Sequence, residues 1–302
     1  MTELALSTMW SKGKFDHMRS FVKDAHDFGF SCIELNSILT LERLEQLNEV
    51  APMRISSVHC PCPAEVTRNR VNNTDVHISS LDEDSRQEAI SYGKQTIKLA
   101  SEVGAKAVII HAGRVEMDLT AHNRLRSLYN EESSPSQEYL ATREELIQQR
   151  DTCINAHLEA VRISLRELLN FAYDNGIMIG LENRVHFFEI PSLHEMVSLL
   201  GEFDAYPIGY WHDVGHAEVQ SRLGFAIQDE WFSNLGDKII GVHLHDVQGI
   251  RDHYAPGIGT IDWDLIARKL PHNIIKVCEI GEWNKRRNAL QAVPFLKKKD
   301  IV

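Results

Sequence analysis

Six apolar runs in this 302-residue chain each end in an ionisable residue. They are ISSVH to His59, AVIIH to His111, IGLE to Glu182, IGYWHD to Asp213, IIGVH to His243 and IIKVCE to Glu279, with the shorter CIE to Glu34 as a weaker seventh. A strand buried on both faces reads as a continuous hydrophobic segment. A charge at its end is costly to desolvate unless it is paired or bound to a cation. Repeated on so many segments, the pattern predicts parallel strands delivering polar groups to one end of a closed (β/α)8 barrel.

The rest of the chain keeps that rhythm. LALSTMW (4–10) reads as the first strand, residues 15–28 as an amphipathic helix, Gly29 as its cap and FSCIELN as the second strand. Helix, glycine and β-rich run recur in SEVGAKAVIIHAG and AYDNGIMIGLEN. Further strands are expected near 54–60, 105–112, 177–183, 208–214, 238–246 and 274–280, about eight with the first two. A doubly wound open sheet is the competing architecture, but it gathers its ligands at one switch point rather than over nearly every strand. The expectation is a single barrel domain over residues 1–302. Two polar connections, 61–84 and 113–142, read as loops over the strand ends. A long helix is expected over 143–175 and a short last one over 286–297, with Lys297, Lys298 and Lys299 as a solvated end.

The net charge of −11, from 43 acidic and 32 basic residues, disfavours a nucleic-acid partner, which needs a positive stripe. Five unevenly spaced cysteines do not read as a disulfide framework. The N-terminal apolar stretch is too short for a signal peptide, and no segment approaches a membrane span. A cytoplasmic protein is expected, with homo-oligomerisation left open.

Glu182, Asp213, His243 and Glu279 would form a mostly oxygen site on separate strands, suited to Mg²⁺ or Mn²⁺ and tolerant of Co²⁺ or Zn²⁺. The plainer reading pairs each with an arginine or lysine, yet no basic residue lies within these strand tops. In Asp213-Val214-Gly215-His216 the aspartate ends a strand, and the histidine can face the same cavity across a glycine turn. His212 has the opposite parity and should point outward. His243 and His245 share parity; His243 is the favoured ligand and His245 a rim residue, although the reverse also fits the strand geometry. Glu34 either faces the pocket mouth or pairs locally, with Asn36 closing the same strand. Trp10, Trp211, Trp263 and Trp283 either wall a pocket or pack the core; Arg114 and Arg184 either contact a phosphate or carboxylate or, the favoured reading, are solvated at the surface.

In order and spacing, GFSCIELN, SSVHCP, VIIHAG, GLENR, HDVGH, VHLHDV, PGIGTIDW and KVCEIGE resemble the xylose isomerase-like barrel superfamily. That superfamily holds sugar and sugar-phosphate isomerases and epimerases, inosose dehydratases and endonuclease IV-type AP endonucleases. The resemblance implies one divalent metal held by Glu182, Asp213, His243 and Glu279, with Glu182 and Glu279 flanking the carbon that loses its proton. It implies a catalytic or substrate-binding role for His216 and contacts to a small carbohydrate from Arg251, His245, His253, Asn36, His59 and His111. Toward the endonuclease branch, His59 and His111 match first-cluster positions and His216 a third-zinc ligand. Arg251-Asp252-His253, however, puts arginine where that branch has an aspartate ligand. The reading reached is a metal-dependent sugar isomerase or epimerase, or a related lyase, working by proton transfer through an enediolate. A zinc phosphodiesterase for abasic DNA and a non-catalytic sugar-binding subunit are the alternatives.

Overall fold

A computed structural model of the chain describes residues 3–50, 53–67, 69–131 and 134–302. Its centre is a closed barrel of eight parallel strands: β1 Leu4–Ser7, β2 Cys32–Leu35, β3 Arg54–His59, β4 Ala107–Ile110, β5 Met178–Glu182, β6 Ile208–Asp213, β7 Ile239–Leu244 and β8 Ile275–Cys278. Each strand pairs with its neighbours in sequence. The ring closes where Leu4, Ala5 and Leu6 of β1 pair with Lys276, Val277 and Cys278 of β8, so no edge strand remains.

The helices that return the chain are α1 Met18–Asp27, α2 Leu41–Asn48, α3 Glu83–Glu102, α4 Thr120–Glu131, α5 Gln137–Asp174, α6 Leu193–Glu202, α7 Val214–Arg222, α8 Gln228–Leu235, α9 Trp263–Lys269 and α10 Arg286–Lys298. Gly29, Gly104 and Gly176 follow α1, α3 and α5 at φ of 91°, 71° and 68°, the left-handed turn that lets the chain reverse into the next strand. None of the described helices is long and apolar enough to cross a membrane.

Three expected boundaries move. The first strand stops at Ser7, whose hydroxyl accepts from Met9 N and starts a 3-10 turn over Thr8–Ser11. The connection expected over 113–142 is mostly a helical hairpin. Ala121, Leu125 and Leu128 recur on one buried face of α4, and Ser136 caps α5 six residues earlier than expected by accepting from Tyr139 N. Residue 68 of the first long connection, and 132 and 133 of the second, lie outside the described residues.

Inside the barrel, side chains stack with a two-residue period. Ala5, Cys32, Ala107, Ile109, Trp211 and Val277 form the apolar floor. Trp211 fits because its neighbours lack side chains. A β-carbon on Gly241 would lie 2.1 Å from its ring and one on Gly180 2.7 Å. Two residues beyond Ile109, Trp211 and Val277 come His111, Asp213 and Glu279, at or just past the ends of their strands, which open the polar layer.

Above the barrel, Asp246–Gln248 pairs antiparallel with Arg251–Tyr254, and Gly113–Arg114 with Glu189–Ile190. Fully buried Asp246 ties down the loop after the first ribbon. Its Oδ1 accepts from Val247 N and Ile261 N, and its Oδ2 from Gly257 N and Trp263 Nε1. This carboxylate explains the spacing of VHLHDV and PGIGTIDW in chemical terms: four donors from 17 residues of chain converge on one side chain.

Candidate metal centre

At the C-terminal mouth of the barrel, Glu182, Asp213, His243 and Glu279 each offer one ligand atom, and these atoms lie within 4.8 Å of one another. His243 Nδ1 is 2.8 Å from Glu182 Oε1, 3.2 Å from Glu279 Oε2 and 3.6 Å from Asp213 Oδ2. On the other side of the ring, Nε2 lies 3.2 Å from Glu34 Oε2. Glu34 thus pairs locally: it is fully buried and also accepts from Ser57 Oγ at 2.8 Å. Asn36 Nδ2 donates to Glu279 Oε1 at 2.8 Å and so turns the other oxygen of that carboxylate toward His243.

Four carboxyl groups, Glu34, Glu182, Asp213 and Glu279, thus surround one imidazole, and none is more than 2% exposed. Burial favours the neutral form of a carboxyl group, but at three of them the nearby histidines win. His111 and His243 hold Glu182 well below the usual carboxylate range, His216 and His245 do so for Asp213, and His243 with His253 holds Glu279 at about 2. In turn Glu279, Glu34 and Glu182 overcome the burial of His243 and push it well above an ordinary histidine. Glu34 Oε1 is buried without a hydrogen-bond partner. Surplus buried negative charge with a hard-oxygen donor set plus one imidazole fits a divalent cation. Glu34 at Nε2 would then keep the His243 proton away from the metal side.

Asp213 also organises the chain beyond β6. Its Oδ1 caps α7 by accepting from His216 N at 2.7 Å, and His245 Nε2 lies 2.8 Å from the same atom. Because His253 N donates to His245 Nδ1 at 2.9 Å, the His245 proton sits on Nε2 and is given to Asp213. Gly215 makes this packing possible, since a β-carbon there would lie 2.0 Å from the His245 ring. Asn183 clamps β5 to β6: Oδ1 accepts from Asp213 N and Tyr210 OH, and Nδ2 donates to Asp213 O. His212 points away from the barrel, fully buried against Tyr210 and Phe232.

Two further clusters share members with the first. Asp213, His216, His245 and His253 form one, and His59, His111 and Glu182 the other. His216 Nδ1 meets Asn183 O at 3.0 Å, leaving Nε2 3.5 Å from Asp252 Oδ2. The left-handed φ of 57° at His253 breaks strand alternation, so Asp252 and His253 both reach the pocket. Arg251 does not join them; it is exposed at the rim, 4.7 Å over the Trp283 ring. Of the tryptophans, Trp10, Trp211 and Trp263 are core residues and Trp283 is 41% exposed.

Arg184 is the main departure from the sequence reading. It is not a solvated residue: its side chain is 11% exposed, with Nη1 2.5 Å from His111 Nε2 and 3.2 Å from Glu182 Oε2. Burial and Arg184 together press His111 down to about 3. Glu34, Asn183, Arg184 and Asp252 are thus site residues to which sequence reasoning gave no firm place. Beside them a cavity of about 340 Å³ runs past His111, Arg184, His77 and Arg114 toward the connection after β3.

Known proteins share this architecture. The D-tagatose 3-epimerase-like protein superposes with a TM-score of 0.65 at 20% identity, covering 99% of this chain and 97% of that one. The 3-keto-D-glucoside 4-epimerase of E. coli gives 0.68 at 15% identity, covering 99% and 100%. The IolI protein with a bound zinc atom gives 0.63 at 15% identity, covering 100% and 97%. In sequence, an uncharacterized protein of Methanocaldococcus jannaschii is 32% identical over 110 residues, 35% of this chain and 37% of that protein. The match thus spans little more than a third of that relative's length. A closed parallel barrel and a match to the family model "Xylose isomerase-like TIM barrel" over residues 22–299 lead to one conclusion: the chain belongs to that family.

Proposed function

We propose that the chain is a divalent-metal-dependent enzyme that epimerises or isomerises a small keto-sugar by moving a proton at the carbon next to the carbonyl. One observation carries this reading: three carboxylates and one imidazole, from four different strands, present ligand atoms within 4.8 Å of one another at the barrel mouth. The likeness to sugar epimerases supports it at the level of fold. Glu182, Asp213, His243 and Glu279 would hold the ion, Mn²⁺ or Mg²⁺ with Co²⁺ and Zn²⁺ as substitutes. When bound, it would polarise the substrate carbonyl and stabilise the negative charge that grows on its oxygen.

The proton work belongs to the chain's own groups. Glu182 and Glu279 are ionised over the neutral range and so are ready to accept a proton. One carboxylate takes the proton from one side of the carbon, and the other returns a proton it has drawn from water to the opposite side; the first then releases its proton to water. Asn36 fixes Glu279 by its Oε1, leaving Oε2 for that task. His216, His253 and His59 line the same polar layer as hydrogen-bond partners for sugar hydroxyls, and Arg251 stands at the entrance.

A second reading, a multinuclear phosphodiesterase, draws on the two histidine-rich clusters beside the first. The net charge of −11 weighs against a polyanionic partner. The test is metal content of the purified chain followed by a keto-sugar screen in deuterated water. The expected result is one ion per chain and deuterium gained at carbon, with no such gain when the chain has first been treated with a chelator. A chain with three tightly held zinc ions, or one that exchanges no sugar hydrogen, would overturn the proposal.

A further inference from the structure

We infer that Arg184 is a built-in cation that occupies a second metal position, between His111 and Glu182, and so restricts the chain to the ion of the four-ligand centre. This rests on reading Glu182 as a cation-binding carboxylate. Glu182 faces two ways: Oε1 is turned to His243, while Oε2 lies 2.6 Å from His111 Nε2 and 3.5 Å from His59 Nε2. His59, His111 and Glu182 thus make a three-ligand set next to the first centre, with ligand atoms within 4.8 Å of one another. Three protein ligands with an open position are enough to hold zinc.

Arg184 Nη1 stands in contact with two of those ligand atoms, 2.5 Å from His111 Nε2 and 3.2 Å from Glu182 Oε2. A guanidinium has five donors, no acceptor and a permanent charge. Its Nη1 thus stands against the two atoms, His111 Nε2 and Glu182 Oε2, through which this set would hold a metal ion. The one carboxylate of this set is also engaged, because Glu182 Oε2 has the guanidinium as its neighbour. An ion entering here would meet both an occupied ligand and a fixed like charge.

The arginine is held in place from behind. Its Nε and Nη2 both donate to Glu189 Oε1, at 3.2 and 2.9 Å, and Glu189 Oε2 accepts from His186 N at 2.9 Å. Glu189 belongs to the short ribbon with Gly113–Arg114, so the anchor is part of the barrel's rim rather than a loose side chain. Arg184 lies two residues past the end of β5, and its side chain turns back onto Glu182.

Zinc is the probe. Full-length variants are loaded with Zn²⁺ alone, dialysed, and their zinc per chain is measured by plasma mass spectrometry. R184A should carry one more zinc per chain than wild type, and H59A added to R184A should return the count to the wild-type number. R184Q, which keeps bulk without charge, should behave as R184A and covers the case in which the smaller side chain fails to fold. Equal zinc in wild type and both Arg184 variants would overturn the inference. So would loss of one zinc when H59A is made in the otherwise wild-type chain, because the position would then already be filled. A wild-type chain free of zinc would instead refute the four-ligand centre, and a gain of one in R184A would still support the role given to Arg184.

Discussion

Glu34 Oε2 approaches His243 Nε2 to 3.2 Å, across the ring from the three carboxylates that face Nδ1. The histidine is held by a carboxylate on the side away from the site, so its ring orientation is fixed before any ion arrives. Glu34→Ala should weaken metal binding about 10- to 100-fold. Competition against a chelator of known affinity measures this, and unchanged affinity would remove Glu34 from the centre.

Glu279→Gln should nearly abolish turnover, by about 10²- to 10⁴-fold, because it removes a base and a ligand charge together. The barrel should survive, since the amide still accepts from Asn36 Nδ2. Activity paired with a thermal melt separates the two effects. Near-normal turnover would refute the proton-transfer role.

Asp246→Ala should cost stability rather than chemistry. It strands Val247 N, Ile261 N, Gly257 N and the Trp263 indole N–H, of which the donors to Oδ2 lie at 2.9 Å. Buried donors left unpaired make a loss of roughly 3 kcal/mol the expected size. Urea denaturation checks it as a lower midpoint with an unchanged slope.

Glu189 gives a pH dependence with a definite sign. Burial opposes its charge, but Arg184 and then His186 bring it from 4.5 down to about 2. A carboxylate depressed in the folded state stabilises above its unfolded pKa and loses that contribution as pH falls through the folded value. Folding stability should therefore decline as pH drops from about 4.5 toward 2. Glu189→Gln should flatten that limb of the curve. An unchanged slope in equilibrium unfolding between these pH values would show that the Arg184 pair is not formed.

The strand tips were readable because each apolar run stops at an ionisable residue, and parity put His59, His111, Glu182, Asp213, His243 and Glu279 on the inside. Parity also contained Arg184, two residues past inward Glu182, but the usual exposure of arginine masked it. The same rule applied to Cys32, Glu34 and Asn36 would have put Glu34 in the barrel. Asp252 was out of reach: alternation sets it opposite His253, and the left-handed turn at His253 undoes that alternation. The helix α4 was legible in Ala121, Leu125 and Leu128, but the charged residues between them drew the reading toward a loop.

Trp211 plugs the barrel directly beneath His243, with ring centroids 5.3 Å apart, and Gly180 and Gly241 let it lie flat across the shaft. Anything that visits the polar layer must then come and go on the C-terminal side of the strands, where a cavity runs past His111 and Arg184.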